Sequence, residues 1–216
     1  MVMIIAILTL ALLYWFPLRR WFARWGTTTD EIARAMPGDS LIAGANHSAT
    51  HAVTVYAAPE DIWPWLAQMG YQRGGLYSYD WLDRLFGFLD RPSADRIVAE
   101  FQTLSVGDHV QLGPDERNRL TVALAEPPHA LVLSYGRGDF QWVWQFSLYE
   151  LDQHRTRLVT RGTERVPKSV ALWLFMRIME PAAFIMTRRM LLGLKQRAEA
   201  LRAQRAARPD CERQVA

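Results

Sequence analysis

From residue 109 onward the chain repeats one pattern. Short runs of alternating apolar and polar side chains are closed by Pro, Gly or Asp turn residues. The runs fall at 109–112, 120–125, 130–135, 140–151 and 157–164; the separators include Pro114-Asp115, Pro127-Pro128, Gly136-Arg137-Gly138 and residues 152–155. An earlier run at 50–56 places Val53 and Val55 on one face and Thr54 and Tyr56 on the other. Six strands are predicted. The later five are joined by connections too short for a parallel return, so the sheet is antiparallel. Helical patterns flank the strands in sequence, which makes the fold class α+β.

Three helical signals matter most. Thr28 with Glu31 spells a capping box and starts a short helix that ends near Pro37-Gly38, before a linker at 41–48. A second helix opens at Pro59, which suits a first turn, with Glu60 and Asp61 favourable beside a helix N-terminus. Trp63, Leu66 and Ala67 form its apolar face, Pro64 is awkward inside it, and Gly70 and Gly74-Gly75 close it. The last helix is expected over 182–205, with Ala183, Met186, Met190, Leu194, Ala198 and Leu201 in one stripe. Before it, residues 170–179 are nearly all apolar, and Pro181 is expected to separate the two.

Residues 1–16 are almost wholly apolar, followed by aromatic residues and by Arg19, Arg20 and Arg24. With Pro17 and Leu18 a helix here spans roughly 27 Å, short but sufficient for a bilayer core of about 30 Å. The reading is a membrane anchor over 1–18. A cleaved signal peptide lacks its basic start and small-residue cleavage site, and a buried core helix is the third alternative. Arginines on the C-terminal side place the globular part in the cytoplasm, on a single-pass inner-membrane protein. Residues 25–176 carry 13 basic and 18 acidic side chains, whereas residues 177–216 carry 9 and 4. An acidic body with basic ends fits an anionic membrane surface better than nucleic acid.

Chemical motifs are sparse. The one cysteine, Cys211, excludes an internal disulfide and lies in an expected polar tail at 206–216. The five histidines show no metal-ligand spacing, and no phosphate-binding or nucleophile motif occurs, so neither a metal nor a cofactor is expected. Along the longest strand Trp142, Trp144, Phe146 and Leu148 take one face, with Gln141, Val143, Gln145 and Ser147 on the other. The aromatic face either packs solidly or lines a cavity.

The stretch THAVTVYAAPEDIWPWLAQMGYQRGGLYSYDW, residues 50–81, runs strand, Ala-Pro-Glu, tryptophan-bearing helix, glycine pair and aromatic segment. It resembles the opening of the START-like, helix-grip superfamily, which includes polyketide cyclases and lipid-transfer domains. The resemblance covers residues 50–202 and implies a curved antiparallel sheet wrapped around a long C-terminal helix, enclosing an apolar cavity. The domains are then an anchor (1–18), a juxtamembrane segment (19–49), a helix-grip domain (50–205) and a tail.

The resemblance further implies that the segment after the first helix builds the cavity mouth. Arg73, Tyr79 and Asp80 become candidate catalytic groups, or else Arg73 and Asp80 form a structural ion pair. Arg161 and Glu164 are read as a surface pair. Met69, Tyr77, Tyr79, Trp81, Tyr135, Trp142, Trp144, Phe146, Met186 and Met190 are the candidate ligand contacts. The expected partner is an apolar small molecule or lipid, held by a membrane-tethered domain. A cyclase/dehydratase-type enzyme and a filled interaction module are the alternatives.

Overall fold

The computed structural model describes residues 14–213. Most of the expected anchor therefore lies outside the described residues. A π-helical turn, Tyr14–Leu18, leads into α1 (Arg19–Ala23) and α2 (Thr29–Ala33). Then come β1 (His47–Val55), α3 (Pro59–Ala67) and α4 (Asp80–Leu85). Four hairpin-linked steps join β2 (His109–Gln111), β3 (Arg119–Glu126), β4 (Ala130–Arg137), β5 (Phe140–Asp152) and β6 (Arg155–Arg165). One helix, α5 (Val170–Arg213), ends the described chain.

The six strands form one antiparallel sheet in the order β1-β6-β5-β4-β3-β2. The second half of α5 lies on one face of it. Met190, Leu191, Leu194 and Ala198 are buried there with Leu131, Phe146 and Leu158 of the sheet and Ile62 and Leu66 of α3. The architecture is α+β of the helix-grip kind. The expected capping box is present: Glu31 N donates to Thr28 Oγ1 and Thr28 N donates to Glu31 Oε2.

The opposite sheet face is covered by the segment between α2 and β1. Gly38 N donates to Gln145 Oε1, and Gln145 Nε2 donates to Asp39 Oδ1, at 2.8 and 2.7 Å. Arg161 is buried here, donating to Asp39, Thr50 and the carbonyls of Glu31, Ile32 and Arg34. It is not paired with Glu164. The two are three apart on a strand and face opposite sides of the sheet.

Three expected boundaries are corrected. β1 starts at His47, not residue 50, because His47 and Ser48 pair with Glu164 and Thr163 despite their polarity. Pro181 does not divide the last helix. A proline cannot donate to the carbonyl four residues back, here Arg177, and the Tyr14 hydroxyl donates to that carbonyl at 2.8 Å instead. The helix also passes Arg205, where Ala206 and Ala207 favour its extension, and continues to Arg213.

Among the described residues, one helix is long and apolar enough to cross a membrane, and it is this C-terminal one, Val170–Ala207, whose most apolar 18-residue stretch has a mean hydropathy of 1.5. Its first half is not core. Val170, Leu174, Phe175 and Ile178 are exposed, as is Trp21, which meets Phe184 of the same helix.

Candidate functional site

The sheet's register lays out the site in rows, since residues paired across antiparallel strands share a face. Leu131, Phe146, Thr160 and His51 form one row across β4, β5, β6 and β1. Two residues along comes Leu133, Trp144, Gly162 and Ala49. Two further comes Tyr135, Trp142, Glu164 and His47. The first row is floor, with Phe146 fully buried. In the second row Gly162 and Ala49 leave a gap beside Trp144, whose ring lies against Trp142 at 5.6 Å between centroids. A cavity of about 700 Å³ occupies this space. Its far wall is α5, through Phe175, Met179, Met186 and Met190. Phe175 lines the cavity and is also exposed, so the cavity reaches the surface at that turn.

α1 covers another side. Phe22 stacks on Phe184 with centroids 4.7 Å apart, and Trp21 meets Phe184 edge-on at 5.0 Å. His51 Nε2 lies 2.7 Å from the Phe22 carbonyl. Burial lowers the His51 pKa, which favours the neutral ring as a donor to that carbonyl.

The third row is polar. His47 Nδ1 stands 3.4 Å from Glu164 Oε2, and its Nε2 3.6 Å from Glu180 Oε1. Contacts to Glu164 and Glu180 outweigh desolvation and raise the His47 pKa to about 9, so the imidazolium prevails at neutral pH. Glu180 also receives Arg19 Nε at 2.9 Å, Arg177 Nη1 at 3.2 Å and the Tyr14 hydroxyl at 3.4 Å. A third carboxyl, Asp83, touches the cavity elsewhere; Ser78 Oγ donates to its Oδ1 at 2.6 Å. Desolvation raises the Asp83 pKa.

Of the ten candidate ligand contacts, Tyr135, Trp142, Trp144, Met186 and Met190 line the cavity. Met69, Tyr77 and Phe146 belong to the packed core, and Tyr79 and Trp81 are exposed on the surface. Tyr77 is a structural hub: its φ is +58°, Arg197 lies over its ring, and a Cβ at Gly193 would fall 2.3 Å from its carbonyl oxygen.

The Arg73–Asp80 ion pair does not form. Arg73 donates to the carbonyls of Ala67 and Phe101, while Asp80 accepts from Ser93 N and Oγ. A guanidinium committed to two carbonyls and a carboxylate committed to a loop leave Arg73, Tyr79 and Asp80 outside the cavity lining. The sequence reading missed His47 and Glu180 and assigned Glu164 to a surface pair with Arg161. Glu164 carried a usable signal, because period-2 alternation places it on the face opposite Arg161.

No protein-family model and no curated protein matches the chain. Among solved structures, it is similar to the Zhui aromatase/cyclase from a Streptomyces species at 16% identity, covering 71% of this chain and 93% of that one, with a TM-score of 0.39. It is similar to CalU16 from Micromonospora echinospora at 17% identity, covering 72% and 86%, with a TM-score of 0.35. A truncated norcoclaurine synthase from Thalictrum flavum is 15% identical, covering 69% and 91%, with a TM-score of 0.42. Likenesses this distant carry nothing about activity, and the helix-grip arrangement stands on strand order and helix packing.

Proposed function

We propose that this protein is a membrane-tethered domain that holds an apolar small molecule or lipid in the cavity between its sheet and α5. The observation that carries this is a space of about 700 Å³ beside stacked tryptophans, well inside the range of roughly 300–1,000 Å³ typical of ligand sites. A filled interaction module would not leave it. The exposed apolar half of α5 supports contact with a bilayer, and the apolar composition of residues 1–16 supports it independently. The anchor at 1–18, the cytoplasmic placement of the domain and its inner-membrane location belong to the same proposal.

Native mass spectrometry of the full chain released from detergent tests the reading. A co-purified lipid-like guest, or uptake of an added apolar probe, is expected. Empty spectra and no uptake would overturn it. The second reading, an enzyme of cyclase/dehydratase type, is favoured by His47, a proton-bearing group facing an apolar cavity. If it holds, His47→Gln abolishes turnover of a bound guest while leaving the guest bound. Unchanged conversion, or none in the wild type, removes that reading.

A further inference from the structure

Antiparallel neighbours reverse direction at each step, so the connections of the sheet sort to its two ends. The β2–β3 connection (112–118), the β4–β5 turn (138–139) and the β6–α5 junction (166–169) lie at one end, and the β3–β4 and β5–β6 turns at the other. Two apolar helical segments stand at the first end. The opening half of α5 follows β6 directly and exposes Leu174, Phe175 and Ile178. α4 finishes beside the β2–β3 connection, where a Cβ on Gly113 would lie 3.0 Å from the Gly87 carbonyl oxygen. Trp81 and Leu85, one turn apart on α4, are 66% and 71% exposed, and Phe86 is 40% exposed. Phe86 and Phe175 each line the cavity while being exposed, so both lie at its rim. Trp81 and Leu85 extend the rim outward as apolar surface and are not part of the cavity lining. Apolar side chains grouped on a surface in this way mark a place of contact.

What covers the patch follows from where the chain enters the described structure. The Tyr14 hydroxyl donates to the Arg177 carbonyl at 2.8 Å, within the exposed half of α5. The 13 residues before Tyr14 are all apolar except Thr9. Chain of bilayer-compatible composition is therefore delivered to one lip of the cavity mouth. Trp21, Trp81 and Trp173 are exposed, and tryptophan is favoured at a membrane–water interface.

We infer that α4 is a second membrane-contacting element, which dips Trp81, Leu85 and Phe86 into the same leaflet as the exposed half of α5. The cavity then opens into the leaflet between Phe86 and Phe175. Its guest is a molecule dissolved in the bilayer, which passes in and out there without crossing water. This rests on the cavity reading above and adds to it a second docking element and the source of the guest.

The test uses the full chain in vesicles of mixed zwitterionic and anionic lipid. With Cys211→Ser removing the native thiol, a polarity-sensitive dye is attached at Leu85→Cys or at Leu151→Cys, an exposed leucine at the far end of β5. The dye at 85 is expected to emit to the blue and to resist quenching by aqueous iodide, while the dye at 151 emits as in water. Emission as in water at 85 overturns the inference. So does shielding that fades as the protein is diluted in lipid, because a second copy then covers the patch. Passage is read by adding anthroyloxy-stearate to the vesicles and following its capture by energy transfer from tryptophan. Trp81→Ser combined with Leu85→Ser is expected to lower the rate constant of capture by about tenfold or more, with occupancy by the same probe in detergent unchanged. Should the double variant melt early, Leu85→Ser alone slows capture in the same direction. An unchanged rate constant overturns the inference and leaves the cavity reading intact. No capture in vesicles and no uptake in detergent by the wild type overturns both.

Discussion

Replacing Gly162 by leucine fills the cavity from the sheet side. A Cβ at this position would meet only the Trp142 indole nitrogen, at 3.5 Å, an ordinary contact. The rest of the side chain enters the gap beside Trp144. Burying a leucine is worth about 1.5–3 kcal/mol, and removing glycine from a strand interior adds about 0.5–1 kcal/mol. Ordering the new side chain costs about 0.5–1 kcal/mol. The empty domain should gain roughly 1–3 kcal/mol, which at about 2–4 °C per kcal/mol raises Tm by about 2–12 °C. Guest occupancy in native mass spectra should fall together with that gain. Thermal melts of delipidated wild type and variant give the first quantity, and probe titration the second. A loss of about 1 kcal/mol or more would mean the space is already filled. A stabilised variant that still carries its guest would place the guest elsewhere.

Four further outcomes are expected. Arg161→Ala strips a buried cation from Asp39, Thr50 and three carbonyls and should cost about 3–5 kcal/mol in urea melts; a loss under about 1 kcal/mol would show the network to be dispensable. His47 is raised from 6.5 to about 9 in the folded chain, so its contribution is full below pH 6.5 and is lost as pH rises to 9, by at most roughly 3 kcal/mol; His47→Gln should flatten that limb of the stability–pH curve, and an unchanged limb would exclude the ion cluster as its source. Leu174→Cys, in a chain with Cys211→Ser and labelled with a polarity-sensitive dye, should shift to the blue in vesicles, whereas emission as in water would remove the bilayer contact of α5. Arg73→Ala should lower Tm while leaving probe affinity unchanged, and a selective loss of affinity would restore Arg73 to the ligand site.

Sheet and helices were legible because they depend on local periodicity. The alternation over β5 needs no partner to be read, and the turn residues after each strand mark where it ends. The cavity was half legible. Trp142 and Trp144 declare their face, but whether that face is filled depends on what stands opposite, and Gly162 and Ala49 reach it only through the β5–β6 and β1–β6 pairings. The second of these joins residues more than a hundred positions apart. Arg73 and Asp80 illustrate the converse error. Opposite charges seven residues apart suggest a pair, yet nearer carbonyl and Ser93 partners satisfied each of them first. Pro181 misled because a helix interior was judged by its own backbone alone, while the missing donor came from a tyrosine hydroxyl 163 residues away in sequence.

That borrowed donor fastens α5 to the turn before α1. Tyr14 supplies the bond to the Arg177 carbonyl that Pro181 cannot make, at the junction of the helix's exposed half and its core half. Met179 and Ala182 flank the joint and line the cavity. A displacement of the Tyr14 turn would therefore be felt at the cavity wall. Tyr14→Phe would leave the Arg177 carbonyl without its donor and loosen the helix where it walls the cavity.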